Sequence, residues 1–190
     1  MGAHLDLIAS FVIGGLLLLA IFSTSANIMG TSLQNTLDTL AQQNLSVLTE
    51  IVLYDFHKIG YYPIDVPPDD FRILSMDSTS MRFRADVDNN GSIDTVAYSI
   101  GDTSEASGTP NPRDVILYRL VNNETRAGAA LGLTEFHLEY FDAEGNPTTV
   151  PSNVKTIEIV LAVESTHAYD DYYPRAIWRS MVRPRNLALQ

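Results

Sequence analysis

From Leu7 to Phe22 the only polar side chain is Ser10, and the run on to Met29 adds just Ser23, Thr24, Ser25 and Asn27. A membrane-crossing helix needs about 20 mainly apolar residues, so this pattern predicts one. It is apolar on every side, and such a helix lies in lipid or inside a bundle of other helices. Beyond Met29 the pattern changes. In "GTSLQNTLDTLAQQNLSVLTEIVLYDFHKIGYYP" Leu33, Leu37, Leu40, Val47, Leu48, Ile51 and Tyr54 recur at helical spacing among polar residues. That predicts an amphipathic continuation with one face for a globular partner. No proline interrupts residues 1–62. Gly14, Gly15 and Gly30 are the weak points, each costing about 1 kcal/mol against Ala. One helix from near residue 4 to near Lys58 would be about 80 Å long at 1.5 Å per residue.

"GYYPIDVPPDD" stops that helix, with Gly60 placed for a C-terminal cap and Pro63, Pro67 and Pro68 barring continuation. The apolar period then drops to two. Candidate strands are 80–86, 95–101, 115–121, 134–143, 156–165 and 176–183, separated by turn-rich segments such as "SEASGTPNP" and "DAEGNP". Short loops between most of them predict an antiparallel sheet with one face packed on the amphipathic helix. The fold class is therefore α+β. Residues 1–30 form the membrane or filament-core helix, 31–58 its amphipathic continuation and 59–190 a β-sheet head.

Charge adds two constraints. The net charge is −11, which argues against nucleic acid, since that binding draws on Lys and Arg at phosphates. The first basic residue is Lys58, so the charge that ordinarily orients a membrane span is missing ahead of the apolar run. A cleaved signal would carry Lys or Arg there. A retained helix is the better expectation, because the helical pattern outlasts the apolar one. There is no cysteine, so no disulfide supports the head and the thiols say nothing of compartment.

Three groups of residues invite a chemical reading. "DVDNNGSID" places Asp86, Asp88, Asn90, Ser92 and Asp94 at alternating positions around Gly91, matching the first nine positions of an EF-hand-type loop. The bidentate acid expected at position twelve is replaced by Ala97. The loop is thus a candidate Ca2+ site, or an Asx-rich turn that satisfies its own backbone. Near the end, Tyr169, Tyr172, Tyr173 and Trp178 stand beside Arg175, Arg179, Arg183 and Arg185, four of the chain's twelve basic residues. In an otherwise acidic head, Arg175, Trp178, Arg179 and Arg183 are candidates for a subunit contact, with Arg179 and Arg183 facing a neighbour's acidic loops. An edge strand blunted by charge is the plainer account. His4, His57, His137 and His167 are scattered, with no HExxH motif, no G-x-S-x-G elbow and no phosphate-binding glycine loop. No enzyme activity is expected. "NLS" (44–46), "NGS" (90–92) and "NET" (123–125) match the glycosylation triplet by pattern only.

The remaining signal is the order of the motifs. The long helix ends in "DFHKIGY" (55–61); "DVDNNGSID", "LYR" (117–119), "FHLEYFDAEG" (136–145) and "RNL" (185–187) follow. In this order they resemble the type IV pilin-like superfamily, most of all the PilW-like minor pilins and the J-type pseudopilins of type II secretion. The resemblance implies a structural subunit of an extracellular or periplasmic pilus-like filament. Such a subunit passes through the inner membrane to the cell surface and packs with copies of itself or other pilin-like subunits. It also implies a role for Asp6. With Gly2 as first residue, Asp6 falls at position five, where the family carries Glu and pairs it with a neighbouring subunit's terminal amine. Gly2, Leu7, Phe11, Gly14 and Gly15 share that segment and are the expected assembly contacts. The alternatives are a type II secretion pseudopilin, or a membrane-anchored, calcium-stabilised binding module for which the helix is only an anchor. An anchor requires neither an acid at residue 6 nor a helix over 31–58.

Overall fold

The computed structural model describes residues 2–62, 72–122, 124–125 and 127–188. Pro63, Pro67, Pro68 and Asn123, on which parts of the sequence reading fall, lie outside the described residues. An unbroken helix, α1, runs Gly2–His57. The chain divides into two compact units, Met1–Leu37 and Asp38–Gln190.

In the first unit every side chain described from Asp6 to Met29 is exposed or nearly so. Phe11 is 74% exposed, Leu19 67% and Phe22 70%. The helix is long and apolar enough to cross a membrane.

In the second unit, among the described residues, seven strands form one antiparallel sheet in sequence order: β1 Ile73–Met76, β2 Ser80–Ala85, β3 Asp94–Ile100, β4 Val115–Val121, β5 Ala127–Phe141, β6 Thr156–Glu164 and β7 Arg175–Val182. Each strand pairs with the next, so β1 and β7 are the edges. Alternation sets the inner face, with Met81 and Phe83 of β2, Val96 and Tyr98 of β3, Phe136 and Leu138 of β5, and Ile157, Ile159 and Leu161 of β6 all buried. Ala41, Leu45, Leu48, Val52 and Phe56 of α1 join them in one core. The Phe56 ring packs edge-on against Phe83 at 5.7 Å and Tyr98 at 5.5 Å, the edge-to-face geometry that the aromatic quadrupole favours.

Three sequence expectations need correction. The buried stripe of α1 is 41, 45, 48, 52 and 56, and of the predicted stripe only Leu37 and Leu48 are buried. Leu33, Leu40, Val47, Ile51 and Tyr54 are 43–52% exposed. Two apolar stripes share this half of the helix, and both satisfy a helical period. Second, β5 starts at Ala127 rather than 134. "AGAALGL" shows no apolar alternation, but it pairs with β4, where Ile116 and the Tyr118 ring cover Gly128. Gly132, at φ +76°, lies in the register shift against β4, where a Cβ would collide with the Glu164 carbonyl. Third, β1 is a strand the alternation did not reveal, four residues long with a bulge of its own.

Gly60 behaves as expected. At φ +72° it turns the chain out of α1, and its N–H donates to the Arg84 carbonyl at 2.9 Å, tying the helix end to β2.

Candidate functional site

Among the described residues, no side chain packs on Leu7, Phe11, Gly14 or Gly15 of the α1 segment singled out for assembly. Leu7 is 59% exposed, and a Cβ added at Gly14 or Gly15 would meet nothing within 4 Å. Asp6 is exposed, its carbonyl accepting from Ser10 Oγ at 2.8 Å. It lies beyond the first turn, which holds no acid, so the helix dipole gives no reason for its placement. Gly2 belongs to the same helix. Met1 lies outside the described residues.

At the far end of α1 sits a group not expected from the sequence, although Asp55 opens "DFHKIGY" and Arg119 closes "LYR". Asp55 is 1% exposed. It accepts from Tyr98 Oη at 2.6 Å and from Arg119 through Nε at 2.6 Å and Nη2 at 3.1 Å. A buried carboxylate is tolerable only when paired and hydrogen-bonded, and three donors meet that need. Burial, and then the Asp55 charge, push the Tyr98 phenol well above its ordinary range. The Asp55 hydrogen bond raises the Arg119 guanidinium further. The triad joins α1, β3 and β4 at one point. A signal existed: Asp55 lies seven residues after Leu48 and next to Phe56 on the buried stripe, and Arg119 shares strand parity with the buried Leu117. An acid on a covered helix face and a base on the inner face of a sheet call for each other.

The acidic hairpin lies beside this triad. Asp86 and Asp94 are buried while Asp88 is exposed, and one ligand oxygen from each lies within 4.8 Å of the others. Two oxygens on a single Ca2+ at 2.3–2.6 Å are at most about 5.2 Å apart, so no pair of the three is too far apart to share an ion. Within the turn, Asn90 Oδ1 accepts from the Ser92 N–H at 2.7 Å, and Asn90 Nδ2 donates to Asp88 at 2.8 Å. The carboxylates also support the backbone. Asp86 accepts from the N–H groups of Asn90 and Gly91, both at 3.0 Å, and Asp94 accepts from Val87 N–H and Asn122 Nδ2. Each oxygen keeps lone pairs for a cation. Lys58 Nζ donates to the Val87 carbonyl at 2.6 Å and to Asn89 Oδ1 at 3.1 Å, so the hairpin is docked on the helix end. A cleft of about 330 Å³ is lined by Asp88, Asn90, Asp94, Arg119, Asn122 and Glu124.

Two of the arginines near the end of the chain, Arg175 and Arg179, are engaged within the head. Arg179 grips Glu158 with Nε at 2.9 Å and Nη2 at 2.6 Å, and that contact lowers the Glu158 carboxyl below its ordinary range. Arg175 reaches Glu135 at 2.7 Å. Arg179, expected to face a neighbour's acidic loops, meets Glu158 of its own chain, two residues from the Val160 opposite it. Arg183 is exposed just past β7. Trp178 packs at the rim of the core. His137 is a surface residue, 3.5 Å from Glu139.

No protein-family model, curated protein or solved structure matches this chain.

Proposed function

We propose that this protein is a structural subunit of a pilus-like filament that assembles through the apolar half of α1. One observation carries the reading. From Asp6 to Met29 an apolar helix surface is exposed on all sides, far more than the few hundred Å² a soluble monomer leaves uncovered. Lipid satisfies it before assembly and neighbouring helices after. Two further features support a filament over a simple anchor. The helix continues without a break to His57, which an anchor does not need. Asp6 is an acid in a segment where an unpaired charge costs several kcal/mol once buried, and a neighbour's terminal amine is the partner that the pilin resemblance supplies. The role is non-enzymatic, with copies of this chain or related subunits as partners, the inner membrane as the starting point and the cell surface as the destination.

The acidic hairpin adds a second element to the reading: Ca2+ held by Asp86, Asp88 and Asp94, favoured by the 4.8 Å spacing of their oxygens. Ca2+ would reinforce the helix-end junction that Lys58 and Arg119 already organise, in a filament subunit or an anchored binding module alike.

Electron microscopy of sheared cell-surface material, probed with an antibody to residues 72–188, tests the main reading. Labelled filaments are the expected result. Antigen confined to membranes, with no labelled fibres, would favour the anchored module.

A further inference from the structure

We propose that Asp114 carries a proton in the folded head, and that its neutrality keeps intact the corner where the 102–114 loop meets the turn that precedes β7. The two segments meet at one corner. Asn111 Nδ2 donates to Glu164 Oε2 at 2.9 Å and to the Ser165 carbonyl at 3.3 Å. Arg113 donates to the same Glu164 oxygen from Nε at 3.0 Å and Nη2 at 2.6 Å, and its guanidinium lies 5.1 Å from the Tyr173 ring centre. Asp114 follows directly, 1% exposed, and neither of its carboxylate oxygens receives a hydrogen bond from the described residues. A buried carboxylate with no donor is among the costliest arrangements in a protein interior.

Counting protons resolves it. The Thr109 hydroxyl acts on the Asp114 carboxyl, yet its hydrogen bond goes to the Ala106 carbonyl at 3.0 Å. A threonine hydroxyl has one proton to give and two lone pairs to receive with. If Asp114 is ionised, that proton is contested and the carboxylate stays short of donors. If Asp114 is neutral, no buried charge is left without a donor, and its O–H has the lone pairs of Thr109 Oγ1 to turn toward while Thr109 keeps its bond to Ala106. Charge points the same way. Two acids, Asp114 and Glu164, share the corner with one guanidinium, which Glu164 already holds.

The other titratable groups around the corner do not supply a counter-charge. Tyr173 stacks on Arg113, and Glu105 of the neighbouring 3-10 turn accepts from Tyr118 Oη and the Asp102 N–H. His167 is exposed and sits against Thr166. Burial is the largest influence on the Asp114 carboxyl and raises it; Glu164 adds to the rise, while the Thr109 hydroxyl and Arg113 oppose it. The sign of the linkage follows. The folded carboxyl holds its proton more tightly than an unfolded one, whose pKa is about 3.9. Its contribution is therefore complete below that value and is lost as pH rises through the folded value. Ionised Asp114 then adds a second charge beside Glu164, and the corner loosens.

The test compares the full-length protein in detergent with its Asp114→Asn variant, whose amide can donate to Thr109 as the neutral acid can. Melting is followed from about pH 4 to about pH 8, spanning the ordinary carboxyl and histidine ranges. Asp114→Asn should melt higher than wild type at the alkaline end, with the gap closing at the acid end; groups common to both proteins cancel. Hydrogen exchange in 107–114 and 165–174 should rise with pH more steeply in wild type than in the variant. Parallel melting curves, or a variant less stable throughout, would overturn the assignment. So would a gap opened by Ca2+ instead of by pH, which would make Asp114 a cation ligand. Should Asp114→Asn fail to fold, the infrared carbonyl stretch of wild type decides: a protonated-carboxyl band must persist above the pH at which exposed carboxyls have ionised, and its absence sinks the proposal.

Discussion

Residues 6–29 and 41–56 are two stretches of one helix, both rich in apolar side chains, with opposite fates. In the first, Ile8, Leu16 and Ile21 are 60–64% exposed; in the second, Val52 and Phe56 are 0% exposed. Helix propensity does not separate them. The difference lies in what each is offered to bury against. The later stretch meets a sheet whose inner face presents Phe83, Tyr98 and Phe136. The earlier stretch meets nothing within its own unit, so its apolar surface is a demand on the surroundings. Burial at about 25 cal/mol per Å² makes that demand large.

The strongest way to break the comparison is to remove its first term. Deleting residues 1–30 should abolish membrane association and assembly outright while leaving the head folded, because the first α1 residue in the core is Ala41. Circular dichroism with size-exclusion chromatography checks this. An unfolded product, or one that still forms fibres, would show that the two stretches do not divide the labour.

Two acids on the helix sharpen the same contrast. Asp55 is buried against Arg119 and Tyr98, whereas Asp6 is exposed and has no side-chain partner among the described residues. Asp55→Ala leaves Arg119 uncompensated, and breaking a buried pair costs about 3–5 kcal/mol; the low end applies, because the Arg119 side chain is 34% exposed. Chemical denaturation of the head measures it. Asp6→Ala should leave that denaturation curve unchanged and instead cut assembly sharply, with a similar cost of about 3–5 kcal/mol per contact if a neighbour's amine is left buried and unpaired. Asp6→Glu should be tolerated, and Asp6→Lys should be worse than Ala. Normal yields of sheared fibres from Asp6→Ala, at matched membrane insertion, would remove Asp6 from the assembly mechanism.

The acidic hairpin comes next in size. A cation that binds only the folded head stabilises it by about 2.7 kcal/mol at a hundredfold excess over Kd. The head should melt higher in millimolar Ca2+ than in chelator, and Asp88→Ala should erase the difference. Asp88 is the informative position because it is the exposed member of the trio. Its loss disturbs the turn less than removal of Asp86, which holds two backbone N–H groups. Coincident curves with and without Ca2+ would leave the hairpin as an Asx-rich turn.

Much of this architecture was legible in the sequence. The unbroken α1, its end at Gly60 and the antiparallel character of the sheet followed from apolar period, helix breakers and short loops. What was hidden depended on partners distant in the chain. The start of β5 has no alternation to read, since its Gly and Ala residues are covered by Ile116 and Tyr118 of β4. The Arg179–Glu158 pair depends on strand register, and a slip of one residue would turn every side chain to the other face. Asp55 and Arg119 were each visible, as an acid near Phe56 and a base within "VILYRLV". Only the fold brings them within 2.6 Å. The acidic loop is a further case: spacing found Asp86, Asp88 and Asp94, but that Asn90 Oδ1 also holds the Ser92 N–H depends on the folded turn.

The smallest effect on stability is expected where the sequence misled most. Leu40, Val47 and Ile51 lie on the exposed stripe of α1, at 46%, 48% and 43% exposure, while Phe56 lies at the centre of the aromatic cluster. Phe56→Ala should cost about 3–5 kcal/mol, as large-to-small changes of aromatic core residues do. Ile51→Ser should change stability by less than about 0.5 kcal/mol, the range of surface positions. Equal destabilisation by the two would mean that the stripes had been assigned the wrong way round. The exposed stripe is nonetheless apolar, and Leu40 and Val47 stand seven residues apart, the repeat by which helices pack along one another. If α1 packs against neighbouring subunits beyond residue 30, the triple change Leu40→Ser, Val47→Ser and Ile51→Ser should lower fibre yield while the head keeps its melting temperature. If yield is unchanged, assembly contacts stop within the all-apolar stretch, and the boundary between the two halves of the helix is functional as well as structural.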